Sequence, residues 1–357
     1  MPTWGELLKE LNELVAAHPP AQQQPGEPSG LDLLRRKYLA ALGRYTGRAV
    51  IVYETAYLES RPQDPNAIAV HLGDVQGFME AVSNIQEREL DLILHSPGGS
   101  AEAAESIVEY LRTRFDHIRV IVPLAAQSAA TMLALAGDEI VMGAHSQLGP
   151  IDPQFTLSTP EGPRSSPGQA ILDQFELAKR ECQDPRNLAA WLPILRYYGP
   201  GLIAQCGHQR ELAETYVAGW LQRFMFKADP DSEGKAKAAA AWFADFSTFK
   251  SHGRRVSRDQ ARALGLTVAD LEADHAFQDA VLSAHHSIQH TLGATAVAKI
   301  IENHHGRAWM KIASTQQIQL VPAAPPQPTS VPPNRPQGGA RMAPGPNRGG
   351  GRRRKKR

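Results

Sequence analysis

Leu92-Ile93-Leu94-His95-Ser96-Pro97-Gly98-Gly99 is an apolar run that stops abruptly at a proline and two glycines. A segment this apolar belongs inside a sheet, and Pro97-Gly98-Gly99 ends it and frees the backbone to turn sharply. Farther on, Val120-Ile121-Val122-Pro123-Leu124 reads as a second buried strand, which gives way to small residues and leaves Ser128 at the start of a helix. Two adjacent strands that end this way can bring backbone N–H donors and a nucleophile to one point.

Outward from these two turns, strands and helices alternate. Strands are expected over 49–54, 67–72, 91–96, 118–124 and 138–142, with helices over 75–87, 100–115 and 128–137, and Asp74 is a candidate cap for the first of these. Alternation at this spacing predicts parallel βαβ units. Helices over 3–17 and 31–44 precede the first strand, separated by a Pro/Gln-rich linker from Pro19 to Pro28. After about residue 166 the pattern turns helical, with helices expected near 187–206, 209–227, 233–246 and 275–303. Ser257 and Gly265 read as the cap and the stop of a short helix. The organisation expected is an N-terminal helical segment (1–47), an α/β core (48–166), a mainly helical continuation of the same domain (167–308) and a tail (321–357).

The chain has 357 residues, enough for a large core without staples. Cys182 and Cys206 match neither a zinc spacing nor a disulfide framework. No stretch has the roughly 18–20 uninterrupted apolar residues of a membrane span, and the start lacks a signal-peptide pattern, so a cytoplasmic protein is expected. Residues 1–320 hold 29 basic against 37 acidic side chains, whereas the remainder holds nine basic and no acidic ones. The Pro/Gly-rich tail ending Arg352-Arg353-Arg354-Lys355-Lys356-Arg357 is expected to be disordered, with at most weak contacts to nucleic acid or acidic partners.

Acyl transfer needs a nucleophile, a proton acceptor and donors aimed at the developing oxyanion. Ser128, with the N–H groups of Gly98 and Ala129, has that form. Three motifs, His95-Ser96-Pro97-Gly98-Gly99, Ala126-Gln127-Ser128-Ala129-Ala130-Thr131-Met132 and Ser146-Gln147-Leu148-Gly149-Pro150-Ile151-Asp152-Pro153-Gln154, resemble the serine dehydrogenase proteinase family of the Clp/crotonase superfamily, related to signal peptide peptidase A. Arg35-Arg36-Lys37-Tyr38-Leu39, Thr46-Gly47-Arg48, Ser251-His252-Gly253 and 261–266 extend the likeness over roughly 3–308.

The resemblance implies an α/β Clp/crotonase-like ββα superhelix with a parallel sheet core and additional helices, acting as a serine peptidase on peptides or unfolded proteins and assembling as a homo-oligomer. It assigns Ser128 as nucleophile and the amides of Gly98, Gly99 and Ala129 to the oxyanion hole. Clp proteases place their catalytic His soon after the Ser, where this chain has Asp152. Signal peptide peptidases use a later Lys, which corresponds to Lys179, 51 residues beyond Ser128. Such a lysine works as a base only when its amine is desolvated near the serine.

Lys179 is therefore the expected base and His145 the rival. Asp152, between two prolines, reads as a turn residue and a candidate contact of the site. His286 and His290 have helical i,i+4 spacing, but neither they nor His285, His304 and His305 come with a zinc-hydrolase carboxylate motif, so no metal and no cofactor is expected. Two alternatives stay open: a crotonase-like acyl-CoA enzyme, and a non-catalytic peptide-binding protein on the same fold.

Overall fold

The computed structural model describes residues 3–19, 27–59 and 64–313; the basic tail and most of the Pro/Gln linker lie outside this range. Helices α1 (Trp4–Ala17) and α2 (Gly30–Thr46) lead into β1 (Ala49–Thr55), a single turn α3 (Pro65–Ile68) and α4 (Asp74–Val82). There follow β2 (Glu89–His95), α5 (Ala101–Arg112), β3 (His117–Val122), β4 (Ala125–Ala126), α6 (Ala129–Leu135), β5 (Glu139–Met142) and β6 (Gln147–Leu148). A hairpin of β7 (Gln154–Thr159) and β8 (Gly162–Pro167) precedes α7 (Gly168–Glu181), α8 (Leu188–Leu195), α9 (Leu202–Arg223), α10 (Ser232–Ala244), α11 (Phe246–Phe249) and α12 (Arg258–Ala263). After these come β9 (Val268–Asp270), α13 (His275–Ala294), β10 (Val297–Asn303) and β11 (Ala308–Ile312).

The central sheet runs β11-β10-β1-β2-β3-β5-β9. β1, β2, β3, β5 and β9 are mutually parallel, and the β10–β11 hairpin adds antiparallel strands beside β1. Strand side chains alternate between faces, so apolar runs without polar interruption mark strands buried on both. Ile51, Tyr53, Leu92, Leu94, Val120 and Val122 pack under α4, α5, α6, α9 and α10. Val50, Val52, Ile93, Ile121, Val141 and Ile300 pack on the opposite face, against α2 and α13. Each such side chain buried from water contributes roughly 1.5–3 kcal/mol. The result is an α/β fold with a large, mostly parallel sheet, and no helix among the described residues is long and apolar enough to cross a membrane.

Several elements differ from expectation. The closing helix ends at Ala294, and Val297–Asn303 is a sheet strand instead. Val297-Ala298-Lys299-Ile300-Ile301 is short and apolar, a pattern that periodicity alone cannot assign. Residues 65–68 form a helical turn rather than a strand, and Val70 alone bridges to Gly99. Gly199-Pro200-Gly201 splits the helix expected over 187–206, and the β7–β8 hairpin at Glu161-Gly162 was not anticipated. Asp74 caps nothing: its carboxylate accepts from Tyr53, Lys299 and the His71 amide. Glu102, Glu105 and Glu109, at helical spacing along α5, bond Gln209, Tyr216 and Arg223 and so dock α5 on α9.

Candidate active site

Two short backbone ladders draw the turns together. Ser96 N–H donates to Ala125 O (3.1 Å) and Gln127 N–H to Ser96 O (3.0 Å), joining the end of β2 to the segment before Ser128. On its other side the β2 turn meets residue 70, with Val70 N–H donating to Gly98 O (2.8 Å) and Ser100 N–H to Val70 O (3.0 Å). Gly98 has φ +90°, and a Cβ there would lie 2.6 Å from Ser128 Cβ and 2.8 Å from Ala129 N, closer still to Gln127 O. Only glycine allows this approach.

Ser128 itself has φ +52° and ψ −123°, a conformation ordinary for glycine but strained for serine, at roughly 1–3 kcal/mol. The strain lifts the residue out of the strand and starts α6 immediately after it, as in a nucleophile elbow. Thr131, one turn into α6, accepts from Gly149 N–H (3.0 Å) and donates to Ala126 O (2.8 Å). Thr131 thus ties α6, which starts directly after Ser128, to the Gly149-Pro150-Ile151-Asp152 loop.

Ser128 opens into a cavity of about 810 Å³. Pro97, Gly98, Gly99 and Ala129 line its polar end, while Ile68, Met132, Ile151, Phe155 and Ala213 supply apolar walls. His252 lines the same cavity. Its Nδ1 lies 2.8 Å from Asp152 Oδ1, and Asp152, only 2% exposed, accepts from Gln154 Nε2 (2.7 Å) through its other oxygen. A paired carboxylate fixes the proton on Nδ1 and leaves the Nε2 lone pair free to take a proton. Reciprocal bonds between Leu148 and Val256 (3.0 and 2.9 Å) strap the Asp152 loop to the His252 loop.

The structure does not bring Lys179 to Ser128. Its amine is paired with Glu176 (2.9 and 3.0 Å) on the outer side of α7, is 58% exposed and is not part of the cavity wall. The desolvation that a lysine base requires is missing, which corrects the expected assignment. His145, the rival, is exposed at the β5–β6 turn, with Nε2 bound to Pro123 O (2.9 Å). Asp152 accepts from side chains rather than turn amides, so the turn reading also gives way.

His252 follows Ser128 by 124 residues, far beyond the spacings that the Clp and signal peptide peptidase resemblances imply, although Ser251-His252-Gly253 is one of the family-like stretches. Of the other histidines, His285 pairs with Glu54 (2.9 Å) and His286 and His290 pack against Trp4. Among the described residues, Glu87, His304 and His305 could each offer a ligand atom to a metal, these atoms lying within 4.8 Å of one another.

A family model of ClpP-like SDH-type serine proteinases matches residues 70–174. Two uncharacterized proteins of Methanocaldococcus jannaschii, MJ0137 and MJ1495, are 45% and 42% identical to this chain over 70 residues, which is 20% of this chain and 24% of each relative. The match thus spans about a quarter of the curated relatives' length. Among solved structures, a serine-to-alanine mutant of the 1510-N membrane-bound stomatin-specific protease aligns with 15% identity and a TM-score of 0.34, covering 56% of this chain and 75% of that one. A lysine-to-alanine mutant of the same protease with a substrate peptide gives 17% and 0.33, covering 55% and 66%. The matched segment carries both strand–helix turns and Asp152, so over residues 70–174 the chain is similar to the ClpP-like SDH-type serine proteinases.

Proposed function

We propose that this chain is a serine peptidase working through a Ser128–His252–Asp152 triad. The observation that carries the reading is the His252–Asp152 pair at 2.8 Å, facing the cavity into which the strained Ser128 turn opens. Asp152 holds the imidazole in the tautomer whose Nε2 accepts the Ser128 proton. The Ser128 oxygen then attacks the peptide carbonyl, and the amides of Ala129 and the Gly98-Gly99 turn receive the oxyanion. Collapse of the tetrahedral species expels the amine, which takes its proton from His252, and water activated by the same imidazole releases the acyl group. A crotonase-like reaction is disfavoured because a serine, rather than a carboxylate base, occupies the turn.

The test is labelling with a fluorophosphonate, alongside cleavage of casein. Labelling of the wild type that is lost in Ser128→Ala and in His252→Ala, but retained in Lys179→Ala, is the expected result. Loss of labelling in Lys179→Ala with retention in His252→Ala would reverse the assignment of the base, and absence of both labelling and cleavage in folded wild type would overturn the peptidase.

A further inference from the structure

Directly behind the Gly98 turn lies a set of charged and polar groups that the triad does not use. Lys299 on β10, Asp74 at the start of α4, Tyr53 on β1 and Ser96 after β2 are each no more than 1% exposed. Lys299 Nζ donates to both Asp74 oxygens (2.8 and 2.7 Å) and to Ala69 O (2.6 Å). Tyr53 OH donates to Asp74 Oδ2 (2.7 Å), Ser96 lies beside the Tyr53 hydroxyl, and Gly98 N–H donates to Ser96 Oγ (3.2 Å). Burial, then the Asp74 charge, pushes the Tyr53 hydroxyl well above its ordinary range, so it stays protonated and remains a donor.

Such a buried ion pair is a poor device for stability alone, since well-packed apolar side chains often serve as well or better. Its placement suggests another use. The lysine reaches both polar atoms of one peptide group's residue by separate routes: Gly98 N through Asp74, Tyr53 and Ser96, and Gly98 O through Ala69 and the Val70 ladder. On the first route Tyr53 and Lys299 both donate to the Asp74 carboxylate, and Gly98 N–H donates to Ser96.

Building on the peptidase reading above, we infer that the Lys299–Asp74 pair, acting through Tyr53 and Ser96, is a positioning device that sets the orientation of the Gly98 turn for oxyanion binding. Lys299 and Asp74 touch no substrate; they act through the turn. Because the pair joins α4 to β10 and Tyr53 adds β1, the network couples the Gly98 turn to three elements of the central fold.

The comparison is of fluorophosphonate inactivation, resolved into kinact and KI, for wild type, Tyr53→Phe, Ser96→Ala and the charge-free double variant Asp74→Asn/Lys299→Met. Glu302→Gln serves as control, because it disturbs an equally buried pair, Arg35–Glu302 (2.7 Å), from the same strand β10. The expected result is a fall in kinact of roughly 10–100-fold with KI unchanged in the first three, below the loss expected for deleting an oxyanion donor outright, and wild-type kinact in Glu302→Gln even where its thermal midpoint drops. Wild-type kinact in folded Tyr53→Phe and Ser96→Ala overturns the inference while leaving the peptidase intact. Equal slowing in Glu302→Gln overturns it as well, reducing the effect to general destabilisation. A folded wild type that does not label overturns the peptidase reading and this inference together.

Discussion

Gly98→Ala places a methyl group where the two turns meet. The new Cβ would lie 2.6 Å from Ser128 Cβ and 2.8 Å from Ala129 N, so these atoms must retreat by about 0.8 Å and 0.6 Å to reach ordinary contact at 3.4 Å. None of them is the end of a flexible side chain, so the strain falls on backbone. Overpacking of this kind costs about 1–3 kcal/mol, and holding alanine at positive φ costs a further 1–3 kcal/mol or so. Against a total stability of about 5–15 kcal/mol, the variant folds with a lowered midpoint or opens the gap between the turns. A displacement near 1 Å at reacting groups is worth roughly 10²-fold in rate. Thermal denaturation with fluorophosphonate kinetics is therefore expected to give both a lower midpoint and labelling slower by about two orders of magnitude. Gly219→Ala in α9, whose Cβ would meet nothing within 4 Å, is the control and is expected to gain about 0.5–1 kcal/mol. Wild-type labelling in Gly98→Ala would refute the geometry argued for the turn.

Asp152→Asn removes the charge that orients His252 and is expected to slow labelling by roughly 10²–10⁴-fold with little change in thermal midpoint; an unchanged rate would remove Asp152 from the triad. Ser128→Gly relieves the φ of +52°, so this inactive variant is expected to melt higher than the equally inactive Ser128→Ala, by an amount corresponding to about 1 kcal/mol. Acid is expected to weaken the fold through His95, whose pKa burial and the neighbouring His285 lower to about 3. A base with a depressed folded pKa contributes its full stability above the unfolded value of about 6.5 and loses it as pH falls toward 3, at about 1.4 kcal/mol per pH unit. Unfolding free energies from urea denaturation at pH 7.5 and 5.0 are thus expected to differ by about 2 kcal/mol more in the wild type than in His95→Asn, and equal differences would refute the assignment.

Both strand–helix turns could be read from residue types alone, because the need for glycine at 98 and for a turn at 128 is local. The two-faced strands β1, β2 and β3 were legible for a similar reason: burial on both faces leaves an uninterrupted apolar run. What sequence could not supply was pairing at long range. Val297–Asn303 carries no mark of lying beside β1, and His252 carries no mark of reaching Asp152, 100 residues earlier. The resemblance to signal peptide peptidases points to Lys179, yet its suitability depends on solvation, a property of tertiary structure, and Lys179 is 58% exposed. Asp74 misled for the opposite reason: a carboxylate at the head of a helix resembles a cap, and nothing nearby announces a lysine arriving from β10.

The antiparallel seat of β10 against β1 also bears on how the chain is made. Between the end of β1 at Thr55 and the start of β10 at Val297 lie some 240 residues, a span a ribosome covers in roughly 10–50 s. Throughout that interval one edge of β1 has no strand beside it, an invitation to faulty pairing with other nascent chains. Ser128, Asp152 and His252 have all been synthesised before Lys299 emerges. On the inference above, the Gly98 turn gains its Lys299–Asp74 support only once β10 has been made, so the strand that covers the exposed edge of β1 also completes that support.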